Sequence, residues 1–261
     1  MPLGRVLSIQ SHVVHGYVGN KAAVFPLQLL GFDVDVINSV QFSNHTGYTA
    51  KWKGQVLNGD ELRDLIDGLE ANGLLGSITH LLTGYIGSAS FLTEVLAAHR
   101  RIKSHNPDLV YVCDPVLGDH GRLYVPAELI PEYRDRVLPL ASIATPNGFE
   151  LGLLTGSEHP IDTPSDAYSA CAMLHSTGVP TVVVTSLGGD DGAGAGKVSV
   201  LLSEDAGAGA APRRTEYQVE KIGCKFTGSG DLTAALVLGW SRRTAGSETA
   251  GGGARWAVGK A

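Results

Sequence analysis

The sequence predicts an α/β fold with a mostly parallel sheet that helices cover on both faces. Apolar runs of strand length, such as residues 109–113 and 181–185, alternate with segments of helical period over most of the chain. This alternation is typical of a parallel sheet between two helix layers. Polar residues cluster where the predicted strands end, which is where open α/β sheets bind ligands. The length of 261 residues suits one large domain or two small ones.

Eight apolar or alternating runs predict the strands, because they have strand length and are bounded by turn or helical segments. They are residues 5–10, 33–39, 80–82, 109–113, 142–145, 181–185, 197–202 and 214–219, of which the last two can pair as a hairpin.

Helical periodicity predicts the intervening elements. The clearest is residues 60–72, which place Leu62, Leu65, Ile66 and Leu69 on one face. The helix at residues 20–30 has Asn20 as its expected N-cap. The other predicted helices are residues 89–105, 126–137, 149–154 and 167–175. Glycine-rich and alanine-rich stretches at 188–196, 206–211 and 244–254 are expected to be loops, and residues 255–261 the start of a helix.

Composition excludes several function classes. Hydrophobic residues make up 43% of the chain, so a substantial core can form, and the net charge of −6 without a basic stripe argues against nucleic acid as a partner. The three cysteines are far apart and form no C-x-x-C pair, which argues against disulfides and structural zinc. No signal peptide or long apolar run is evident, so we expect a soluble, cytoplasmic protein that does not bind membranes.

The run FTGSGDLTAAL at residues 226–236 carries the strongest functional signal. Its glycines let backbone N–H groups converge, and the helix that follows turns its positive end toward the loop. This arrangement suits an anion such as a phosphoryl group. Asp231 would repel that anion, so its presence beside the loop needs another reason. Deprotonating the hydroxyl that attacks the phosphoryl group is one such reason. Taken alone, Gly-Ser-Gly-Asp is equally typical of a plain capped helix start.

Further polar groups follow three predicted strands. Asp114 and Asp119 can hold a hard cation such as Mg²⁺, although a surface turn explains them equally well. Asn147 can contact a phosphate or cap a helix, and Glu150 fits either a capping box or a shared metal site with Asp119. Thr185 and Ser186 could bind phosphate or a monovalent ion, but strand ends are commonly polar.

Two polar and aromatic segments, residues 11–20 and 38–48, follow the first two predicted strands. Aromatic faces, hydroxyls and imidazoles together suit a planar heteroaromatic substrate. The spacing of His12, His15 and His45 matches no strong zinc pattern, although metal binding by them is conceivable.

Six motifs occur in order: SIQSHVVHGYVGNKAA (residues 8–23), NSVQFSNHTGY (38–48), LTGY (82–85), YVCDPVLGD (111–119), TPNGFE (145–150) and FTGSGD (226–231). Together they resemble the pyridoxal kinases of the ribokinase-like superfamily, over about residues 5–240. The resemblance implies a three-layer fold and ATP-dependent phosphorylation of the 5′-hydroxymethyl group of pyridoxal, pyridoxine or pyridoxamine.

The resemblance also implies a role for each matching residue. Asp231 would be the catalytic base, and Gly228, Ser229 and Gly230 the anion hole. The substrate would contact Ser11, Val18, Val40, Phe42, His45, Thr46, Tyr85, Tyr124 and Asp231. ATP would contact Asp114, Asn147, Gly148, Phe149, Glu150, Thr185, Ser186, Ile222, Gly223, Cys224 and Ser229. A divalent cation, Mg²⁺ or another, would use Asp119 and Glu150, and a monovalent cation (K⁺ or Na⁺) would use Asp114, Thr145 and Thr185.

By the same resemblance we expect a homodimer and one kinase domain over residues 1–261, without the terminal helices of the family. Three alternatives stay open. A sugar or nucleoside kinase usually carries a di-glycine where this chain has His15-Gly16-Tyr17. A hydroxymethylpyrimidine kinase usually carries Gly-Ser-Asp-Pro-Ser-Gly-Gly, which this chain lacks. A pyridoxal phosphate-binding protein without catalytic activity is the third.

Overall fold

The computed structural model describes residues 2–187, 196–207, 210–224 and 226–247. The chain divides into two compact units: Met1–Asp114 with Thr227–Leu236, and Pro115–Phe226 with the segment from Val237 onward. Each is an α/β unit with its own strands and helices. Within the described residues, no helix has the length and apolar character that a membrane span requires.

The first unit contains five strands and three helices, and the N-terminal part of a fourth helix. The elements are β1 (Arg5–His15), α1 (Asn20–Leu29), β2 (Asp33–Asn44), β3 (Gly54–Val56), α2 (Gly59–Ala71), β4 (His80–Thr83), α3 (Ala89–His105), β5 (Val110–Cys113) and the start of α7 (Ser229–Ser247). The strand order is β5-β4-β1-β2-β3, and only the edge strand β3 is antiparallel.

The second unit is built from the remaining elements. They are β6 (Gly118–Asp119), β7 (Arg122–Leu123), α4 (Leu129–Glu132), β8 (Ile143–Ala144), α5 (Gly148–Thr155), α6 (Pro164–Ser176), β9 (Thr181–Leu187), β10 (Lys197–Glu204) and β11 (Arg213–Glu220). Strands run in the order β11-β10-β9-β8, where β8 and β9 are parallel and the β10–β11 hairpin is antiparallel as predicted. β6 and β7 form a separate small hairpin.

Local sequence explains most helix bounds. α2 begins with a capping box in which Asn58 accepts from the Glu61 N–H and the Glu61 carboxylate accepts from the Asn58 N–H. α3 has the predicted bounds and starts at the Ser88 cap. On α2, Leu62 and Ile66 are buried as expected, whereas Leu65 is 48% exposed and does not belong to the buried stripe.

β1 and β2 extend well beyond their predicted ends. The polar residues after Gln10 and Ser39 suggested loops, but both strands continue through them to His15 and Asn44. A bulge at Gln10/Ser11 shifts the β1–β2 register by one residue and places Ser39, whose hydroxyl donates to the Tyr85 carbonyl at 2.7 Å. The polar residues in these two segments therefore do not indicate loops. They lie on strands, where a side chain can contact a ligand or a hydrogen-bond partner.

Three further expectations need correction. Asn20 is not the N-cap of α1, because Gly19 holds that position and the Asn20 side chain bonds to β1 and β2 instead. The helix expected at 126–137 is α4 followed by a π turn (Tyr133–Val137) and a 3₁₀ turn (Leu138–Leu140), because Pro139 lacks the N–H that would continue an α-helix.

At the C-terminal end, residues 244–247 continue α7 and are not a loop. An established helix adds one hydrogen bond for each further residue, so it can extend into short polar residues. The rest of that predicted loop, the helix expected at 255–261 and most of the 188–196 segment lie outside the described residues.

Candidate active site

The Gly-rich loop before α7 rests on the turn between β1 and α1. Gly228 has φ +81°, and a Cβ there would lie 2.1 Å from the carbonyl oxygen of Tyr17. Gly19 has φ +52°, and a Cβ there would lie 2.0 Å from the carbonyl oxygen of Ser11. Only glycine fits at either position. The two glycines therefore bring Asp231, Tyr17 and Ser11 into one neighbourhood within the first unit.

Asp231 lies in the first turn of α7. Its carboxylate accepts hydrogen bonds from the N–H of Gly19 and from its own N–H. Burial raises its pKa, and the two N–H donors offset part of that rise. A partly buried carboxylate with an elevated pKa is suited to accept a proton from an alcohol.

The rest of the Gly228–Asp231 loop has the features of an anion site. α7 begins at Ser229, so its first N–H groups point toward the loop. Leu232 N donates to Gly228 O, and the Thr233 hydroxyl donates to Ser229 O, which fixes the first turn. A Cβ on Gly230 would lie 3.9 Å from a carboxylate oxygen of Asp114, so Asp114 at the end of β5 lies beside the loop.

Four predicted substrate residues of the first unit form an apolar group together with Val13, which was not predicted; the four are Val18, Val40, Phe42 and Tyr85. Val13, Val40 and Phe42 are buried together, and Val18 and Tyr85 pack against them. Phe42 stacks on Trp52 with ring centroids 3.7 Å apart. Burial raises the pKa of Tyr85, so this phenol stays neutral. The accessible part of the group is formed by Val18 and Tyr85, which are partly buried, and Ser11 pairs with Val40 beside it.

A cleft of about 350 Å³ lies beside this group and is lined by His15, Ser43, Asn44, Tyr48 and Ala50. The His45 ring packs on Tyr48 with centroids 4.5 Å apart, whereas Thr46 is exposed. Burial lowers the pKa of His12, whose Nδ1 has no hydrogen-bond partner among the described residues. No cluster of three potential metal ligands occurs within the described part of the chain.

In the second unit, Asn147 and Glu150 form the predicted capping box of α5. The carboxylate of Glu150 accepts from the N–H groups of Leu117 and Gly118 at 2.9 and 3.3 Å, and from that of Asn147 at 2.9 Å. Burial raises its pKa to about 8, although these three donors lower it, and the charge of Asp119 adds to the rise. Glu150 therefore ties the β6 strand to α5.

Asp119 and Tyr124 lie on and beside the small hairpin. Asp119 accepts from the N–H of His120, whose imidazole lies 3.4 Å away from the same carboxylate. His120 has φ +48°, which is unusual for a residue with a side chain. Tyr124 bonds through its N–H to Leu117 O, and burial followed by the charges of Asp119 and Glu150 raises its pKa.

The remaining predicted ATP and cation residues of this unit are at strand ends. The Thr145 hydroxyl is buried and lacks a hydrogen-bond partner among the described residues. The Thr185 N–H donates to Pro146 O, and a Cβ on Gly148 would lie 3.3 Å from the carbonyl oxygen of Ser186.

Phe149 is half-buried, and a Cβ on Gly118 would touch its ring. Ile222, Gly223 and Cys224 are exposed after β11.

Sequence reasoning missed Ser39 and Trp52. Trp52 stacks on a predicted substrate residue, but the short strand β3 that follows it carried no clear pattern. Ser39 sits in the bulge, which the β2 alternation does not indicate. A tryptophan between two strands of a polar, aromatic region was the available signal.

Comparison with known proteins decides the family. The family model described as phosphomethylpyrimidine kinase matches residues 76–249. Pyridoxal kinase of Arabidopsis thaliana is 56% identical over 92% of this chain and 75% of its own length, and that of Homo sapiens is 48% identical over 92% and 78%. A solved pyridoxal kinase of Leishmania donovani, in complex with ADP and pyridoxamine, aligns with a TM-score of 0.82 at 41% identity, over 90% of this chain and 78% of that one.

The chain belongs to the pyridoxal kinase family. This membership confirms the predicted ribokinase-like α/β fold and the resemblance seen in the six motifs.

Proposed function

We propose that the protein transfers the γ-phosphoryl group of ATP to the 5′-hydroxymethyl group of pyridoxal, pyridoxine or pyridoxamine. The observation that carries the proposal is the half-buried carboxylate of Asp231, held by the Gly19 N–H at the start of a glycine-loop helix. Two solved structures of one relative, the pyridoxal kinase of Leishmania donovani at 41% identity, are complexes with ADP and pyridoxamine and with ADP and pyridoxine.

In this proposal the substrate ring lies on the Val13, Val40 and Phe42 group, with Ser11 and Tyr85 orienting its polar atoms. Asp231 accepts the alcohol proton as the oxygen–phosphorus bond forms, which is late in a loose transition state. The N–H groups of residues 228–231 and the positive end of α7 stabilise charge on the transferred group.

Cations are part of the proposal, and the donor chemistry fits them. Asp119 offers a carboxylate to a divalent ion such as Mg²⁺, and such an ion would neutralise phosphate charge when bound. Glu150 would act behind Asp119, in the outer shell of that ion, by holding β6 through its backbone hydrogen bonds. The buried Thr145 hydroxyl, which lacks a protein partner among the described residues, suits an oxygen-bound monovalent ion. Asp114 and Thr185 are the other proposed ligands of that ion.

Three wider features also stay proposals: one kinase domain, a homodimer, and action in the cytoplasm. The single domain and the homodimer rest on the family resemblance, and action in the cytoplasm rests on the cysteine content. Size-exclusion chromatography with light scattering measures the assembly, and a mass near twice 27.3 kDa is expected.

The phosphomethylpyrimidine kinase match over residues 76–249 makes hydroxymethylpyrimidine the second candidate substrate. ATP consumption measured in parallel with pyridoxal, hydroxymethylpyrimidine and ribose tests both. Turnover of pyridoxal well above the other two is expected. Binding of pyridoxal phosphate without any turnover would overturn the proposal in favour of a carrier.

A further inference from the structure

We propose that Asn20 is a positioning residue for the catalytic base, because its buried side-chain amide fixes the turn that holds Asp231. The inference rests on the proposed kinase function for its kinetic readout. Its geometric basis is independent of that function.

The Asn20 side chain is held on every side. Its Oδ1 accepts from the Ser8 hydroxyl at 2.8 Å, and its Nδ2 donates to the carbonyl of Ile37 at 3.0 Å and to Oδ1 of Asn38 at 2.9 Å. The side chain of Gln10 donates to Ser8 in turn, at 2.9 Å. Asn20 is only 2% exposed. Four polar side chains therefore join β1, β2 and the start of α1.

This network costs desolvation and is not needed to cap the helix. The N-cap of α1 is Gly19, and the Asn20 amide bonds no N–H of α1. Both ends of the Asn20 amide are hydrogen-bonded, and a satisfied buried polar group fixes one geometry more strictly than an apolar contact does. The geometry fixed here is that of the peptide before Asn20.

The Gly19–Asn20 peptide in turn places Gly19, whose own backbone has little freedom. Its backbone lies in a region open to glycine, packed against the Ser11 carbonyl. Its N–H donates to the carboxylate of Asp231. On the other side of the carboxylate, Gly228 packs against the carbonyl of Tyr17. Both contacts that locate Asp231 are thus made by residues 17–19, and Asn20 anchors that turn to the sheet.

A loosened turn would displace Asp231 and remove the N–H donor that lowers its pKa. The acid limb of the kcat profile would then move to higher pH. The other charged groups at this place are Asp114, beside Gly230, and Lys21 on α1, whose ammonium donates to the Val14 carbonyl. Neither changes when Asn20 is replaced.

The test compares Asn20→Ala, Ser8→Ala and the control Asn106→Ala in the full chain. Asn106 donates a comparable side-chain hydrogen bond, to Ile78 O at 2.8 Å, in the same unit and outside the proposed site. We expect Asn20→Ala to lower kcat by roughly 10–100-fold, since small misplacements have effects of that size. Its KM for pyridoxal should stay close to wild type, and its acid limb should move to higher pH because the carboxylate loses a donor.

Ser8→Ala should change kcat and the acid limb in the same direction but by less, and Asn106→Ala should change neither. If Asn20→Ala does not fold, the Ser8→Ala result decides. A folded variant of Asn20 or Ser8 with wild-type kcat and an unmoved acid limb would overturn the proposal. So would a loss of kcat that follows the folded fraction alone.

A second readout separates this inference from the proposed function. In protein labelled with [¹⁵N]glycine, the Gly19 amide proton reports its bond to Asp231 without turnover. Asp231→Ala and Asn20→Ala should both move that resonance, and Asn106→Ala should not. If wild type fails to phosphorylate pyridoxal, the function is wrong while this readout still decides the Asn20 contact.

Discussion

α5 begins with a buried carboxylate and α7 with a half-buried one, and the two carboxylates have different partners. Glu150 on α5 accepts three backbone N–H groups, from Leu117, Gly118 and Asn147. Asp231 on α7 accepts one from Gly19 besides its own. The Glu150 oxygens are occupied by the structure around them, whereas Asp231 keeps acceptor capacity for a substrate proton. The hydrogen-bond partners of a carboxylate at a helix start therefore indicate whether it has a catalytic or a structural role.

The largest effect is expected from Asp231→Asn, which keeps the shape and removes the base. We expect kcat to fall by roughly 10²–10⁴-fold, the usual contribution of general-base catalysis. The Tm should not fall, because the variant no longer buries a charge. Steady-state kinetics and thermal unfolding of the same preparation check both statements. Wild-type turnover would show that Asp231 is not the base.

The next effect is expected from Gly228→Ala, because the added Cβ would lie 2.1 Å from the Tyr17 carbonyl at a positive φ. The loop must then move, and a shift of this kind costs about 10²-fold in kcat. Gly73→Ala is the matched control, because Gly73 also has a positive φ, +69°, and nothing lies within 4 Å of its Cβ position. Equal kinetics for the two variants would contradict the packing of the Gly228–Asp231 loop against the turn at Tyr17.

Glu150→Ala should lower stability more than it lowers catalysis. Three backbone N–H groups lose their acceptor, and a buried unsatisfied donor costs about 1–3 kcal/mol. For a chain of this size, that corresponds to a Tm decrease of roughly 2–10 °C. The exposed Glu158→Ala serves as control and should leave the Tm unchanged. A Tm equal to wild type would show that Glu150 does not tie β6 to α5.

The smallest expected effect is the pH dependence of the difference in Tm between wild type and Glu150→Ala. Glu150 ionises near 4.5 when unfolded and near 8 when folded, so the folded state binds its proton more tightly between these values. Stability from this group is fully present below about pH 4.5 and declines as the pH rises to about 8. The Tm advantage of wild type over Glu150→Ala should therefore shrink from pH 5 to pH 8 without added metal. An advantage that grows over this range would reverse the assigned direction.

Local sequence signals predicted much of the fold. The bounds of α3 were predicted in full, and the β10–β11 hairpin was predicted from two alternating runs. Glu150 and Asn147 form the capping box that their spacing indicated. These features depend on neighbours in the chain, so periodicity and caps are enough to indicate them.

Tertiary contacts account for what the sequence did not predict. The side chain of Asn20 was expected to cap α1, yet its partners come from β1 and β2. The polar stretch after Gln10 stays in the sheet because β2 pairs with it, and the bulge at Ser39 has no local signature. The catalytic assignment of Asp231 came from a motif, but its Gly19 contact required the structure.

The most direct test of the comparison is single-turnover formation of pyridoxal 5′-phosphate from pyridoxal by Asp231→Asn and Glu150→Ala, at saturating ATP and Mg²⁺ and below both melting temperatures. We expect Asp231→Asn to bind pyridoxal as wild type does and to lose the transfer step. Glu150→Ala should transfer the phosphoryl group at a rate within a few-fold of wild type. Transfer by Asp231→Asn at the wild-type rate, or an equal loss in both variants, would contradict the assignment of chemistry to one carboxylate and architecture to the other.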